Sequence, residues 1–264
     1  MYRRRLYIPL TTRVLLTISL WALALLMSAC STNIQFSKQV ETSRKVLAQQ
    51  SQKPVPTSAK QKKQQFFAHM KPIVVSENKR ILQLRQKITH LKTLSELNPL
   101  QQKWLQHAAS AYGLNVPNQP SYQQWQTLLV RVDIIPLEMA LVQAANESAW
   151  GQSRFALQGN NYFGQWCYKK GCGMVPKQRV AGASHEVRRF DNVRQSVHAY
   201  LRNINTSPAY AEFRSIRHSL RVQSKPLDAH VLVMGLKSYS ERGMAYVRTI
   251  QSMIRSNRAL IQSS

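Results

Sequence analysis

The sequence feature that constrains the fold most is the helical spacing of apolar residues on both sides of one short non-helical stretch. Within 81–97, 100–111 and 193–204, apolar side chains recur every three or four residues, which is typical of amphipathic helices. The stretch 160–190 breaks this spacing with aromatic residues, glycines, two cysteines and short strand-like runs. The pattern therefore predicts an α+β fold in which helices flank a small β lobe.

A glutamate lies in the last turns of one predicted helix. Pro136 suits the first turn of that helix because its ring presets φ, and Gly151 would end it. Cleaving a glycosidic bond requires a carboxyl group that protonates the leaving oxygen. Glu147 fits this role, because its neighbours are small and the negative end of the helix dipole disfavours a further negative charge there. The alternative is a helix-end glutamate that pairs with an N–H group or an arginine.

The N-terminus has the layout of a secretory signal peptide, residues 1–29, with four arginines ahead of an apolar run. That run is shorter than the ~20 residues that a membrane-spanning helix needs. It ends in a segment that resembles a lipobox, residues 27–30 (MSAC), so we expect a lipid anchor at Cys30. Ser31 follows instead of aspartate, which in a Gram-negative cell predicts the periplasmic face of the outer membrane. The alternative is an ordinary signal peptide or membrane anchor with an incidental cysteine.

The net charge of the chain is strongly positive. It is +26 for the whole sequence, or +22 once the four signal arginines are removed. A charge of this size favours an anionic partner. Export argues against nucleic acid, so we expect acidic lipid surfaces and the carboxylates of peptidoglycan, although many of these side chains serve only solvation.

The rest of the chain divides into a polar segment and one globular domain. Residues 30–76 are rich in Gln, Ser, Lys and Thr with little apolar periodicity, and they predict a basic tether. Residues 77–264 have the length of a single domain, whose last part predicts two helices, 227–239 and 242–257. We expect a monomer.

Two cysteines remain if Cys30 is lipidated. Cys167 and Cys172 are separated by four residues, and in an oxidising compartment this spacing predicts a small disulfide. A metal site is the alternative, but two thiols without a close histidine pair or second cysteine pair are a poor zinc set. We therefore expect no metal and no cofactor.

Two motifs resemble a known family. Residues 144–151 (AANESAWG) and 160–164 (NNYFG) are similar to the signature of the bacterial peptidoglycan glucosaminidases of glycoside hydrolase family seventy-three. Residues 164–173, 185–187 and 239–243 resemble more closely the Bax-type proteins among them. The resemblance covers residues 134–257. It implies a lysozyme-like α+β fold, with a helical lobe and a small β lobe across a groove, and endo-β-N-acetylglucosaminidase activity.

The resemblance also implies roles for individual residues. Glu147 corresponds to the general acid of the family, and Glu186 is the candidate for its second carboxylate. A tyrosine near the last helix would contact the acetamido group of the sugar, which favours Tyr246. Further residues would bind substrate, namely Trp150, Asn160, Asn161, Phe163 and Tyr239.

Several of these roles have structural alternatives. Glu186 could instead pair with Arg188 or Arg189 in a hairpin. If it lies far from Glu147, attack by water with inversion, or by the acetamido group of the substrate, becomes the favoured chemistry. The asparagines could satisfy turn backbone, and the tyrosines could belong to the core.

Three functions remain open at this stage. The favoured one is a hydrolase that cuts the glycan strands of peptidoglycan after N-acetylglucosamine. A lytic transglycosylase shares the fold and a single catalytic glutamate but forms an anhydro product. A non-catalytic lipoprotein that binds the wall is the third.

Overall fold

The computed structural model describes residues 41, 58–177, 179 and 182–264. The signal peptide, Cys30 and most of the predicted tether lie outside this part of the chain. Residues Pro56–Ser264 form one compact unit. Its helices, in chain order, are α1 Ala59–Lys92, α2 Pro99–Ala111, α3 Tyr122–Arg131, α4 Leu137–Glu147, α5 Arg154–Gly159, α6 Val193–Thr206, α7 Ala211–Val222, α8 Ala229–Leu232 and α9 Met244–Ser263, with 3-10 segments at Pro208–Tyr210 and Val233–Tyr239.

Helix α1 corrects the predicted tether boundary. It begins at Ala59, within the segment expected to be a tether through residue 76, and Ser58 and Gln61 form a capping box at its start. Phe67, Met70 and Val74 are completely buried in the core. Their spacing of three and four places them on one helix face, which continues into the apolar run from Ile81. The surrounding lysines and glutamines occupy the solvent face and obscure this stripe in the sequence.

Helix α4 is the central element of the helical lobe. Its residues 139–145 are completely buried, and the helix packs against α1, α8 and α9. A helix that is apolar on all sides is stable only when other helices cover it. This packing fixes the direction of its C-terminal end, where Glu147 emerges from the core.

The β lobe consists of three short strands, β1 Trp166–Cys167, β2 Gly173–Met174 and β3 Glu186–Arg188. They form an antiparallel sheet in the order β1-β3-β2, with Trp166 opposite Val187 and Gly173 opposite Arg188. Together with the surrounding helices this sheet confirms the predicted lysozyme-like α+β fold. None of the helices in the described part of the chain has both the length and the hydropathy of a membrane-spanning segment.

Helix α7 was absent from the sequence prediction, and its buried face explains why. Arg217 is 1% exposed, and its guanidinium donates to the backbone oxygens of Val130 and Ile134. Asp133 is also buried, and it accepts two hydrogen bonds from Arg221, at 2.8 and 3.0 Å. Burial lowers the pKa of Arg217 to about 10, while the charge of Asp133 opposes this change. The apolar residues Phe213, Ile216 and Leu220 share this helix with the buried arginines, so arginines interrupt its apolar stripe in the sequence.

Candidate active site

A groove of about 790 Å³ opens between the helical lobe and the β lobe. Glu147 is the only carboxylate among the described residues that line it. Its walls are rich in aromatic side chains, which can pack against the faces of sugar rings. The aromatic residues of the lining are Phe155, Phe163, Trp166, Tyr168, Phe190, Tyr200, Tyr210 and Tyr239.

A tight turn after α4 holds Glu147 at the floor of this groove. Ala149, Trp150 and Gly151 all have positive φ, at 50°, 60° and 78°. Ser148 is completely buried, and its hydroxyl donates to the Ala144 carbonyl at 2.6 Å and accepts the Gly151 N–H at 2.8 Å. Left-handed conformations of non-glycine residues are costly and persist only where the surrounding contacts fix them. The serine and glycine of the motif therefore build the turn that ends the helix directly after its glutamate.

Hydrogen bonds to only one of its two oxygens hold the carboxylate of Glu147. Oε1 accepts hydrogen bonds from the Tyr246 hydroxyl and from the Asn146 amide, each at 3.0 Å. Oε2 has no hydrogen-bond partner in the described part of the chain. One oxygen is thus fixed in position, and the other remains available to carry a proton toward a ligand in the groove.

A buried chain of hydrogen bonds sets the direction of the bond from Tyr246. The Tyr200 hydroxyl donates to Gln143 Oε1, which leaves the amide nitrogen of Gln143 to donate to the Tyr246 oxygen at 2.9 Å. The proton of Tyr246 is then directed at Glu147. Burial, together with the charge of Glu147, raises the pKa of Tyr246 well above its ordinary value, so the phenol remains a donor. Tyr246, which the sequence analysis expected to contact substrate, is in direct contact with the candidate acid.

Glu186 occupies a different environment, outside the groove lining. Its Oε1 accepts the Gly171 N–H at 3.0 Å, and its Oε2 accepts the Gly173 N–H at 2.8 Å. These two bonds hold the pKa of the Glu186 carboxyl below its ordinary value. Gly173 itself admits no side chain, because a Cβ there would lie 2.1 Å from the Val187 carbonyl oxygen. Glu186 therefore fastens the loop between β1 and β2 to β3.

Trp150 packs inside the helical lobe and does not line the groove. Its ring lies edge-on to Phe66 and Phe67, with centroids 5.6 and 5.5 Å away, and Lys63 Nζ lies 5.0 Å from its centroid. The family resemblance predicts that this residue binds substrate. The contacts show instead that it attaches the turn after Glu147 to α1.

The two asparagines of the second motif bond to backbone. Asn160 ends α5 in a left-handed conformation and donates to the Phe190 carbonyl at 2.9 Å. Asn161 is buried, donates to the carbonyls of Gln165 and Arg188, and accepts the Gln165 N–H. Both side chains join the start of the β lobe to its end. They satisfy backbone groups of turns, which was the structural alternative to substrate binding.

Phe163 and Tyr239, which the family resemblance predicts to bind substrate, lie in the groove lining. Phe163 stacks on Tyr200 with centroids 3.9 Å apart, and Tyr239 stacks on Tyr246 at 5.2 Å. Burial raises the pKa of Tyr239 well above its ordinary value. These stacked pairs form the floor beside Glu147.

Trp166 and Tyr168 are groove residues that the sequence motifs did not indicate. They are 56% and 71% exposed, and both belong to the β-lobe wall of the groove. Trp166 stacks on His185 with centroids 4.2 Å apart, so its ring is fixed while much of it remains exposed. The signal in the sequence was two aromatic residues that flank Cys167 in a loop, where no core requires them.

Cys167 and Cys172 form the predicted disulfide. Their sulfurs and a Glu186 oxygen lie within 4.8 Å of one another, and they are the only group in the described part of the chain with metal-ligand geometry. Sulfurs that are joined in a disulfide are not thiolate ligands. The disulfide therefore closes the loop beside Glu186, and backbone N–H groups of that segment donate to the Glu186 carboxylate.

Comparison with known proteins identifies the family of the chain. The sequence profile of the glucosaminidase family, described as mannosyl-glycoprotein endo-beta-N-acetylglucosaminidase, matches residues 119–259. The chain belongs to the glucosaminidase family. Protein bax of Escherichia coli strain K12 is 34% identical over 200 residues, which are 76% of this chain and 71% of that protein. No solved structure matches the chain. This glucosaminidase-family chain is thus a glycosidase-type protein with a glycan as its class of substrate.

Proposed function

We propose that this protein is a peptidoglycan hydrolase that cuts the β-1,4 bond after N-acetylglucosamine, with Glu147 as the general acid. The observation that carries the proposal is the position of Glu147 in the groove. Oε1 is fixed by Tyr246 and Asn146, and Oε2 is free to carry the proton. Geometry of this kind is what a general acid requires.

The reaction follows from this arrangement. Protonated Oε2 donates its proton to the glycosidic oxygen as the bond from that oxygen to the sugar C1 breaks, and positive charge develops on the sugar. The negative charge then left on Glu147 is stabilised by the hydrogen bonds from Tyr246 and Asn146. Trp166 and Tyr168 supply an aromatic wall along which the flanking sugars pack.

The attacking nucleophile is not Glu186 in this proposal. Both of its oxygens are engaged by backbone N–H groups, and it does not line the groove. Water then attacks C1 with inversion, or the acetamido group of the substrate attacks first and water opens the resulting ring with retention. The anomer of the first product, read by proton NMR, distinguishes the two routes.

Peptidoglycan is the glycan we propose because of the family and the charge. The resemblance is to bacterial wall-degrading members, and a mature charge of +22 complements the carboxylates of the wall. A lytic transglycosylase is the second candidate, since such an enzyme needs only one carboxylate and the groove contains one. Its products are lighter by one water than the products of hydrolysis.

Digestion of purified sacculi, followed by mass analysis of the products, tests the proposal. We expect the wild-type protein to release fragments with a reducing N-acetylglucosamine end. Glu147→Gln should lower kcat by about a thousandfold, because a general acid contributes roughly 10²–10⁴. Glu96→Gln, which alters an exposed glutamate of the α1–α2 connection, is the matched control and should remain active.

Three outcomes would contradict the proposal. Release of anhydro products would assign the transglycosylase. Unchanged release by Glu147→Gln would exclude this residue as the acid. If the wild-type protein binds sacculi but releases no fragments from them, the non-catalytic wall-binding function would be favoured.

We further propose that the protein is a lipoprotein of the cell envelope, anchored at Cys30 on the periplasmic face of the outer membrane. The support is the lipobox-like segment and the serine that follows it. Mass spectrometry of the purified mature protein should find an N-terminal cysteine with a diacylglyceryl group on its sulfur, and Cys30→Ser should move the protein to the soluble fraction. An unmodified N-terminus elsewhere would contradict the anchor.

A further inference from the structure

A cationic side pocket of about 530 Å³ lies between α1, β3 and α6. It carries a net charge of +3 from four arginines and one glutamate, with its histidine counted as neutral. A concave surface with this excess of positive charge concentrates anions. The charged and titratable residues that line it are Glu77, Arg80, Arg188, Arg194, His198 and Arg202.

The single carboxylate of the side pocket is already engaged. Glu77 is buried, and it lies 3.1 Å from Arg80 Nε, 3.2 Å from Arg194 Nη1 and 3.2 Å from His198 Nδ1. Burial raises the pKa of Glu77, but the hydrogen bonds from His198 and Arg80 outweigh burial and lower it below its ordinary value. Glu77 thus attaches α6 to α1 and holds these cations at the pocket.

Two arginines of the side pocket remain without an anionic partner. The guanidinium groups of Arg188 and Arg202 form no ion pair with any described residue, and both side chains are exposed. Arg188 lies over the ring of Phe190, 5.0 Å from its centroid, which fixes the direction of its guanidinium. A fixed, unpaired guanidinium is suited to bind a carboxylate through two parallel hydrogen bonds.

The side pocket adjoins the groove of Glu147. Arg188, Phe190, Ala199 and Asn203 line both cavities. Ala199 and Asn203 lie four residues apart on α6, so one helix face forms a wall that the two cavities share. A ligand with an uncharged chain in the groove and an anionic branch would reach both cavities at once.

Peptidoglycan has this form. Its sugars are uncharged along the strand, and its negative charges lie on the carboxylates of the stem peptides that branch from alternate sugars. We propose that the side pocket binds the stem-peptide carboxylates of the strand being cut, through Arg188 and Arg202. The inference rests on the proposed function, and it makes the protein selective for peptide-bearing glycan.

Kinetics on two substrates tests the inference. One substrate is intact peptidoglycan, and the other is the same material stripped of its peptides by an amidase. We expect the wild-type ratio of kcat/KM, intact over stripped, to be about ten, because charge-assisted bonds to two arginines are lost on the stripped strand. Arg188→Gln/Arg202→Gln should bring this ratio close to one, and added salt should lower the wild-type ratio.

A matched double variant controls for loss of charge. Lys225→Gln/Arg248→Gln removes the same two positive charges from exposed positions that line neither cavity. Its ratio should equal that of the wild type. An unchanged ratio in Arg188→Gln/Arg202→Gln, or an equal fall in the control, would overturn the inference.

A binding measurement separates this inference from the proposed function. Calorimetric titration of the full chain with a soluble stem tripeptide should give binding that Arg188→Gln/Arg202→Gln weakens about tenfold. Amidation of the tripeptide carboxylates should have the same effect. Equal binding of the amidated peptide, or tighter binding of glycerol phosphate as a lipid headgroup probe, would overturn the assignment to stem peptides. If the wild-type protein cuts neither substrate, the proposed function fails while the titration still tests the pocket.

Discussion

The two lobes that face the groove hold their acidic residues in different ways. In the helical lobe, Glu147 is fixed through Tyr246, Gln143 and Tyr200, which come from three helices and are buried. In the β lobe, Glu186 bonds only to the backbone of a nearby loop, which a disulfide closes. Contacts between distant elements fix the position of a side chain relative to the whole core. Local contacts fix its position only relative to the nearby loop. The position of Glu147 therefore depends on how the helices of the whole lobe pack, whereas the position of Glu186 depends on one short segment.

The largest effect outside the groove should come from the buried charges of the helical lobe. Burial raises the pKa of Asp133, but the hydrogen bonds from Arg221 and the charges of Arg217 and Arg85 outweigh burial and lower it. Asp133→Asn leaves these cations without their counter-charge, so we expect the free energy of unfolding to fall by about 3 kcal/mol. Urea denaturation at neutral pH measures this change.

The same variant has a pH signature. Because the folded pKa of Asp133 lies below the ordinary value of an aspartate, its contribution to stability is present above that ordinary value and is lost as the pH falls through the folded pKa. The difference between wild type and Asp133→Asn should therefore shrink in acid. Asp191→Asn, at an exposed position, is the control and should change stability by less than about 0.5 kcal/mol. Wild-type stability in Asp133→Asn would show that the cluster does not hold the lobe together.

A smaller effect should come from the contact between Tyr246 and the candidate acid. Tyr246→Phe removes the donor to Glu147 and leaves the Gln143 amide without its acceptor. We expect kcat to fall about tenfold with little change in KM, since one charge-assisted hydrogen bond is lost. Tyr162→Phe removes a hydroxyl outside the groove lining and should keep wild-type kcat. A change in KM alone would show that Tyr246 binds substrate and does not position the acid.

The smallest effect should come from the β lobe. Glu186→Gln replaces one carboxylate oxygen with an NH₂ group, which cannot accept a hydrogen bond. One of the two glycine N–H groups therefore loses its acceptor, while the disulfide still closes the loop. We expect kcat/KM to fall about threefold, mainly through KM, because groove residues such as Trp166 shift without loss of the acid. Glu212→Gln, in an exposed pair with Lys237, is the control. A loss of kcat as deep as that of Glu147→Gln would make Glu186 a catalytic carboxylate and end the contrast between the lobes.

The sequence predicted the helices whose buried faces are apolar and missed those whose burial depends on partners. The stripe that begins at Ile81 was visible, but its extension through Phe67 and Met70 was hidden among lysines and glutamines. The apolar face of helix α7 was missed because arginines interrupt it, and Arg217 lies on the buried side, where Asp133 compensates its charge. Periodicity reports the polarity of residues, and it does not report which polar residues find a partner in the core.

For the site, the sequence alone predicted the candidate acid, the disulfide pair and the end of the helix near Gly151, and the structure confirms the disulfide. These follow from local chemistry, because Glu147, the serine and the glycine that build the turn lie within one short segment. The folded structure was needed to show that Trp150 packs against α1, that Glu186 is bound by backbone N–H groups, and that Trp166 and Arg188 line the groove. These roles depend on which elements pack together across the chain, and the spacing of residues along a sequence does not specify that packing.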